Sequence, residues 1–387
     1  MVFPERFSNL PEYAFPRLRA LLDHHIPGGD VIPMSIGEPK HAFPDFVGDV
    51  MASAMGGFAK YPPNDGSPEL REAIAAWIAR RYGATLDPDR NILPLNGTRE
   101  GLFNAALALS PEAKNGQKPA ILIPNPFYQC YAVAALAAGA EPVFLPTRAE
   151  TDFLPDFAAI PEDVLARTTI VYLCSPSNPQ GAVADRDYWR RLLHLAEQHD
   201  FIIFADECYS EIYRDDPPPG ILELADNLDR VIAFHSLSKR SNLPGLRSGF
   251  AAGGAGPIAE MKQLRNYTGA PLPLPVQAVS AAVWADEAHV RANRALYREK
   301  YAAADAILGD LPGYQSPRAG FFVWLDVGDG EAAALRIWTK TGVRVLPGKY
   351  LSRAADGGDP GAAFIRIALV AEIDDLSRGL RAIRTCL

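Results

Sequence analysis

The chain has 387 residues, 48% of them hydrophobic, and a formal net charge of −8, so it is too long for one ordinary core and suits two domains. The acidic balance speaks against an electrostatic grip on nucleic acid or an anionic membrane, and no apolar run approaches the ~20 residues of a membrane span. The start, "MVFPERFSNLPEYAF", lacks the basic-then-apolar order of a secretion signal, and Cys130, Cys174, Cys208 and Cys386 form no CxxC pair, which speaks against a disulfide framework or a zinc site and fits a reducing cytoplasm.

The N-terminal segment through about Pro44 is Pro-rich and has no sheet of its own to enter, so it is expected to join a smaller second domain. Ser67 and Pro68 read as the N-cap and first residue of a helix, "ELREAIAAWIARRYG". From about Ser67 to Gly269, short β-branched runs alternate with helical ones. The strand runs are "AILIP", "EPVFLP", "TTIVYLC", "FIIFADE", "RVIAFHS" and "RSGFAAG"; "DRDYWRRLLHLAEQH" and "GPIAEMKQLRNYT" are amphipathic. That alternation predicts an α/β fold with a mostly parallel sheet covered by helices on both faces. After "GAPLPLPVQ" a long helical region, about Val276 to Leu308, leads to "GFFVWLDV", "VRVLPG" and "FIRIALV", read as a smaller α/β domain. The expected division is a large domain over 45–275 and a small one built from 1–44 and 276–387.

Ligands of open α/β sheets bind beyond the carboxyl ends of the strands, and four constellations fall there. In "LPLNGTREGLF" an apolar run ends at Asn96, and Gly97, Thr98 and Arg99 open a helix whose free amides suit an anion; alone, this is also a commonplace strand–Gly–helix turn. In "YLCSPSNPQG", Asn178 sits in an Asn-Pro turn and could offer an amide to a phenolate or carbonyl oxygen. In "IIFADECYSEIY", Asp206 ends a buried strand with Tyr209 three residues on; a carboxylate there needs a partner, either a helix cap or a cationic ring nitrogen. In "SLSKRSNLPGLRSG", Lys239 stands between serines with Arg247 eight residues on. A lysine forms a Schiff base with an aldehyde once it has lost its proton, and a pocket holding other cations favours that loss.

Together the four describe a ligand with a phosphate, an aldehyde, a ring oxygen and a ring nitrogen, which is pyridoxal 5'-phosphate. At "SPSNPQG", "DECY" and "SLSKRSNLPGLRSG", in that order, with "NGTREG" before them and "FIRIALV" near the C-terminus, the chain resembles the class I aminotransferases of the aspartate-aminotransferase superfamily, fold type I. The resemblance covers nearly the whole chain. It implies that Lys239 holds the cofactor covalently and shuttles the substrate's α-proton. Asp206 would keep the pyridine nitrogen protonated, and Asn178 and Tyr209 would bond the phenolic oxygen. The phosphate would sit on the amides of Thr98 and Arg99 with Ser236, Ser238 and Arg247, and Tyr128 would stack on the ring. Arg366 would clamp the substrate α-carboxylate, and Gly37 would border the substrate through its backbone. A homodimer with shared sites is implied, with the Tyr61 hydroxyl reaching the neighbouring subunit's phosphate.

The start "FPERFSNLPEYAFPRLRALLD", with "SIGEPKH", resembles bacterial N-succinyldiaminopimelate aminotransferases of lysine biosynthesis, which implies 2-oxoglutarate as acceptor. Lys40 and His41 depart from the polar or small residues expected after "GEP"; they face either a distal carboxylate or solvent. Aspartate, alanine or kynurenine aminotransferases share much of this frame. So does a cystathionine β-lyase-like enzyme, which would keep Lys239 and Asp206 but release ammonia and pyruvate. A ligand-sensing regulator would carry a DNA-binding domain ahead of the fold, whereas here the fold is read as beginning almost at Met1 and the chain is acidic.

Overall fold

The computed structural model describes residues 5–8, 10, 12–269, 271–355 and 357–387; residues 1–4, 9 and 11 of the N-terminal segment lie outside the described residues. Two sheets organise the chain, with a short paired ribbon whose Ile32 and Val343 share the core of the smaller sheet. The larger sheet has seven strands. They are β2 (Ile92–Leu95), β3 (Ala120–Asn125), β4 (Glu141–Pro146), β5 (Thr168–Cys174), β6 (Ile202–Asp206), β7 (Val231–Ser236) and β8 (Gly249–Gly253). Their spatial order is β2-β8-β7-β6-β5-β3-β4. β8 runs antiparallel to both neighbours, and the other pairs are parallel. The mostly apolar text of β5 and β7 follows from this layering, since both are buried along their whole length.

Helices close both faces, and their ends are written in the sequence. Ser67 Oγ accepts from Leu70 N at 3.3 Å, Pro68 occupies the first turn, and Gly83, at φ +68°, ends helix Pro68–Tyr82. Asp185 caps helix Arg186–His199 through Tyr188 N at 2.7 Å. The helical region expected over 276–308 is two helices, Leu274–Ala285 and Ala288–Leu308. Asp286 between them is extended, and its carboxylate accepts from His289 N at 3.0 Å. The first of the two places Val279, Val283 and Trp284 in the large-sheet core, where Trp284 packs on Trp77 with ring centroids 4.8 Å apart. The second places Tyr297, Tyr301, Ala304 and Leu308 in the core of the smaller sheet.

That smaller sheet is antiparallel, in the order β11 (Leu346–Pro347), β12 (Phe364–Ala368), β9 (Phe322–Asp326). The N-terminal segment, which has no sheet of its own, pairs one short strand with the C-terminal part of the chain. β1 (Ile32–Pro33) pairs in parallel with β10 (Val343–Arg344), matching Ile32 to Val343. Proline is tolerated there because a two-stranded edge leaves its nitrogen with no ladder bond to supply. Among the described residues no helix is long and apolar enough to cross a membrane.

Candidate active site

The carboxyl ends of β2, β5, β6 and β7 open on one edge of the large sheet. β8 is reversed, so its beginning meets that edge and brings Arg247 beside them. A cavity of about 280 Å³ lies here. Its lining includes Gly37, Thr98, Arg99, Tyr128, Asn178, Asp206, Tyr209, Ser236, Ser238, Lys239, Arg247 and Arg366. Every site residue expected from the sequence is therefore in one place except Tyr61, which is fully exposed at the surface of the single chain.

Lys239 Nζ donates to Gly37 O at 2.5 Å. Burial pushes this ammonium down to about 8, and the guanidiniums of Arg366 and Arg247 add to the effect. A Cβ on Gly37 would stand 2.4 Å from Phe322 Cζ and 2.9 Å from Phe321 Cε2, so only glycine brings this carbonyl so near the amine.

Asp206 is buried at the end of β6. Its Oδ2 accepts from Tyr131 Oη at 2.6 Å, and its Oδ1 from Cys208 N at 3.3 Å. Tyr131 stacks on Tyr172 at 4.4 Å and meets Tyr128 edge-on at 5.7 Å. Arg99 Nε donates to the Tyr128 hydroxyl, and its guanidinium lies 5.5 Å from that ring. Burial raises the Tyr128 phenol to about 12 and pushes Tyr209 up as well, so both are neutral donors at ordinary pH.

The anion end is built on backbone. Gly97, at φ +76°, turns β2 into helix Thr98–Leu109 and leaves the first amides of that helix open to the cavity. A Cβ on Gly97 would stand 2.3 Å from Arg247 Nη2. Ser236 Oγ accepts from Ser238 N at 3.1 Å and shapes the turn that carries Lys239. Thr98 Oγ1 lies 3.2 Å from Cys208 Sγ.

Arg366 projects from the middle of β12, where its register partners are Trp324 and Leu346. It is 4% exposed. Nη1 donates to Asn178 Oδ1 at 2.8 Å and Nη2 to Ser35 O at 2.7 Å, while Nε has no partner. The guanidinium lies 4.2 Å from the Phe322 ring centroid, and burial pushes it down to about 10. A buried arginine that lines the cavity and keeps one N–H unpartnered is arranged to receive a planar carboxylate.

The two residues left open after "GEP" separate. Lys40 Nζ pairs with Glu38 Oε2 at 3.0 Å, both half exposed, and does not line the cavity. His41 is half-buried and does not line the cavity; it turns onto helix Ala288–Leu308. Sequence reasoning missed Tyr131, Cys208 and Ser35. Tyr131 had a signal, standing in the first turn of helix Cys130–Ala137, three residues after Tyr128. Ser35 acts through its carbonyl oxygen, which no side-chain pattern reports.

The model for the family described as aminotransferase class I and II matches residues 29–383. An LL-diaminopimelate aminotransferase of Desulforudis audaxviator is 34% identical over 393 residues, covering 99% of this chain and 97% of that protein. An aminotransferase from Neisseria meningitidis superposes with a TM-score of 0.95 at 41% identity, covering 99% of each chain. A Thermus thermophilus protein described as a probable N-succinyldiaminopimelate aminotransferase does so with a TM-score of 0.86 at 28% identity, covering 97% of this chain and 100% of that one.

Proposed function

The chain belongs to the class I and II aminotransferase family, and we propose that it moves an amino group from N-succinyl-LL-2,6-diaminopimelate to 2-oxoglutarate. Enzymes of this family use pyridoxal 5'-phosphate. The residues present fit that group: a buried lysine amine pushed toward its neutral form, an anion cradle that a Cβ on Gly97 would fill, and an arginine Nε without a partner. Lys239, Asp206, Asn178, Tyr209, Tyr128, Ser236, Ser238, Arg247 and the amides of Thr98 and Arg99 would hold it.

When bound, the cofactor supplies an electrophilic aldehyde carbon and a ring that takes up electron density from the substrate's α-carbon. Lys239 Nζ would take the proton from that carbon and hold it for return; its lowered proton affinity makes it a base near neutral pH. Asp206, fixed by Tyr131 and the Cys208 amide, holds a proton at the ring nitrogen. Arg366 holds the α-carboxylate, and its bond to Asn178 ties the substrate's position to the ring's. The Phe321 ring, its centroid 5.4 Å from Lys239 Nζ, would help to exclude water from the reacting amine.

One observation carries the choice of donor. Among the described cavity-lining residues Asp206 is the single carboxylate, and its oxygens accept from Tyr131 and Cys208. A free ammonium at the far end of a substrate would meet no lining carboxylate to pair its charge, at a cost of several kcal/mol if buried. The succinylated donor and 2-oxoglutarate both present carboxylates at that end, and Arg99 stands exposed among the lining residues as a cation. Unsubstituted LL-diaminopimelate is the second reading, favoured by the description of the Desulforudis relative. Turnover of both donors with 2-oxoglutarate, beside aspartate, alanine, kynurenine and cystathionine, separates them. The succinylated donor is expected to exceed the free one in kcat/KM by about 10²-fold; equal or reversed values overturn the donor and leave the aminotransferase in place. This donor would place the enzyme in lysine biosynthesis in the cytoplasm. We also propose a homodimer in which exposed Tyr61 completes the neighbour's phosphate site, an arrangement that an active monomer in sedimentation would refute.

A further inference from the structure

His41 is half-buried against helix Ala288–Leu308. Its Nδ1 lies 2.8 Å from Asn293 Oδ1, its Nε2 lies 2.6 Å from Lys300 Nζ, and its ring centroid is 4.8 Å from that of Tyr297. Lys300 is 2% exposed, and its amine also donates to Val370 O at 3.2 Å. An amide oxygen only accepts and a lysine amine donates, so Nδ1 carries the proton and Nε2 accepts: the imidazole is neutral in this arrangement.

The contacts continue to the reacting lysine. Asn293 Oδ1 also accepts from Asn242 Nδ2 at 3.1 Å, and the same Nδ2 donates to Ala42 O at 3.1 Å. Asn242 lies on the loop that follows Lys239, whose Nζ donates to Gly37 O. Segment 37–42 therefore touches the Lys239 loop at both of its ends. The geometry points to His41 as a positioning residue: neutral, it clamps segment 37–42 between Asn293 and Lys300 against the Lys239 loop, and protonation at Nε2 releases the clamp. The inference rests on Lys239 as the reacting amine.

The release has a simple cause. A proton on Nε2 would point at the Lys300 amine, setting donor against donor and charge against charge. The other charged groups around His41 are Glu299 on the same helix as Lys300 and Glu372 before helix Ile373–Arg384; Glu38 and Lys40 on its own segment pair with each other. Burial, the largest influence, pushes His41 below its ordinary 6.5; Lys300 adds to it, while Asn293, Glu372 and Glu299 oppose it without prevailing. A released His41 would titrate near 6.5, so the clamp is at full strength above that pH and weakens as pH falls through the lowered value. Lys300, pushed to about 8 mainly by burial, retains an N–H to donate in either form, so rising pH leaves the contact standing.

The test follows hydrogen exchange of residues 35–42, corrected for intrinsic rate, and kcat and KM of the holoenzyme between about pH 5 and about pH 8. Wild type is expected to show exchange in this segment rising about tenfold on acidification, with kcat falling in step. In His41→Gln the side-chain oxygen can accept from Lys300 and the amide can donate to Asn293 without titrating. This variant should restore slow exchange at every pH, leaving in kcat only the acid limb that Lys239 itself sets. His41→Leu should exchange fast at every pH and lose about tenfold in kcat more than in KM. A Gln variant whose exchange still rises on acidification as in wild type, or a Leu variant with wild-type exchange and kcat, overturns the proposal. Exchange is read equally in Lys239→Ala, so an absent clamp and a wrong reacting amine give different results.

Discussion

At one end of the cavity, Asp206, Ser236, Lys239 and Arg247 follow one another along three adjacent strands. At the other, Arg366 is held by Ser35 and Asn178, 331 and 188 positions away in the chain. The first end is a property of the sheet: parallel strands stop together, and whatever follows them shares an edge. The second exists only once the small sheet, the N-terminal segment and the large sheet have met. The two ends should therefore respond differently to damage, and the substitutions that probe them can be ordered by how much each removes.

Lys239→Ala removes most, because one amine is assigned both the covalent hold on the cofactor and the proton transfer. The rate should fall on the order of 10⁴-fold or more. Borohydride should fix the cofactor to the wild-type chain and not to the variant. Since burial and two nearby guanidiniums lower this amine to about 8, its neutral fraction grows as pH rises toward that value. Labelling of Lys239 by an amine reagent in cofactor-free protein should accelerate over the same range and level off above it. A labelling midpoint near the ordinary 10.5, or near-normal turnover of the variant, would break the assignment.

Arg366→Gln tests the assembled end. Glutamine can still donate to Ser35 O or Asn178 Oδ1 but brings no charge and no fork for a carboxylate. Loss of a buried charged partner predicts about 10²- to 10³-fold lower kcat/KM, most of it in KM. The comparison sharpens at Asn178, which bonds Arg366 at 2.8 Å. If the ends are coupled through this contact, the absorption maximum of bound cofactor shifts in the variant; an unchanged spectrum with the same kinetic loss would make them independent.

The same contrast explains what the sequence made legible. Each strand of the large sheet and each residue at its edge could be located from local text, because apolar runs mark buried strands and the residue after a run is at the edge. Arg366 was found through the resemblance and its odd place in an apolar strand. Its partner Ser35 O and the bond from Gly37 O to Lys239 could not be, since carbonyl oxygens are in every residue and only the tertiary fold selects one. His41 failed for a related reason. A histidine beside an exposed Lys40 reads as surface, and nothing local reveals that Lys300, 259 positions on, is buried beneath it. The break at Asp286–Glu287 was hidden because both helices keep an apolar face, each toward a different core.

Gly97→Ala should have the smallest effect and is the most local of the three. The residue sits at φ +76° and ψ 156°, a region essentially confined to glycine that costs an alanine on the order of 1–3 kcal/mol. The added methyl would stand 2.3 Å from Arg247 Nη2 and 3.0 Å from Cζ. Those atoms are the far end of an exposed side chain, so Arg247 can swing aside and the fold survives. What the protein loses is the position of one guanidinium and the open approach to the helix amides. Cofactor affinity should then fall about tenfold, equivalent to about 1.4 kcal/mol, with kcat at saturating cofactor near wild type. Gly249→Ala is the matching control, because its Cβ would stand 2.6 Å from the backbone oxygen of His235. A strand oxygen cannot swing aside, so that variant should lose thermal stability rather than affinity. An unchanged cofactor Kd in Gly97→Ala, measured by absorbance titration, would move the phosphate away from Arg247 and leave the anion cradle of this edge without its assigned ligand.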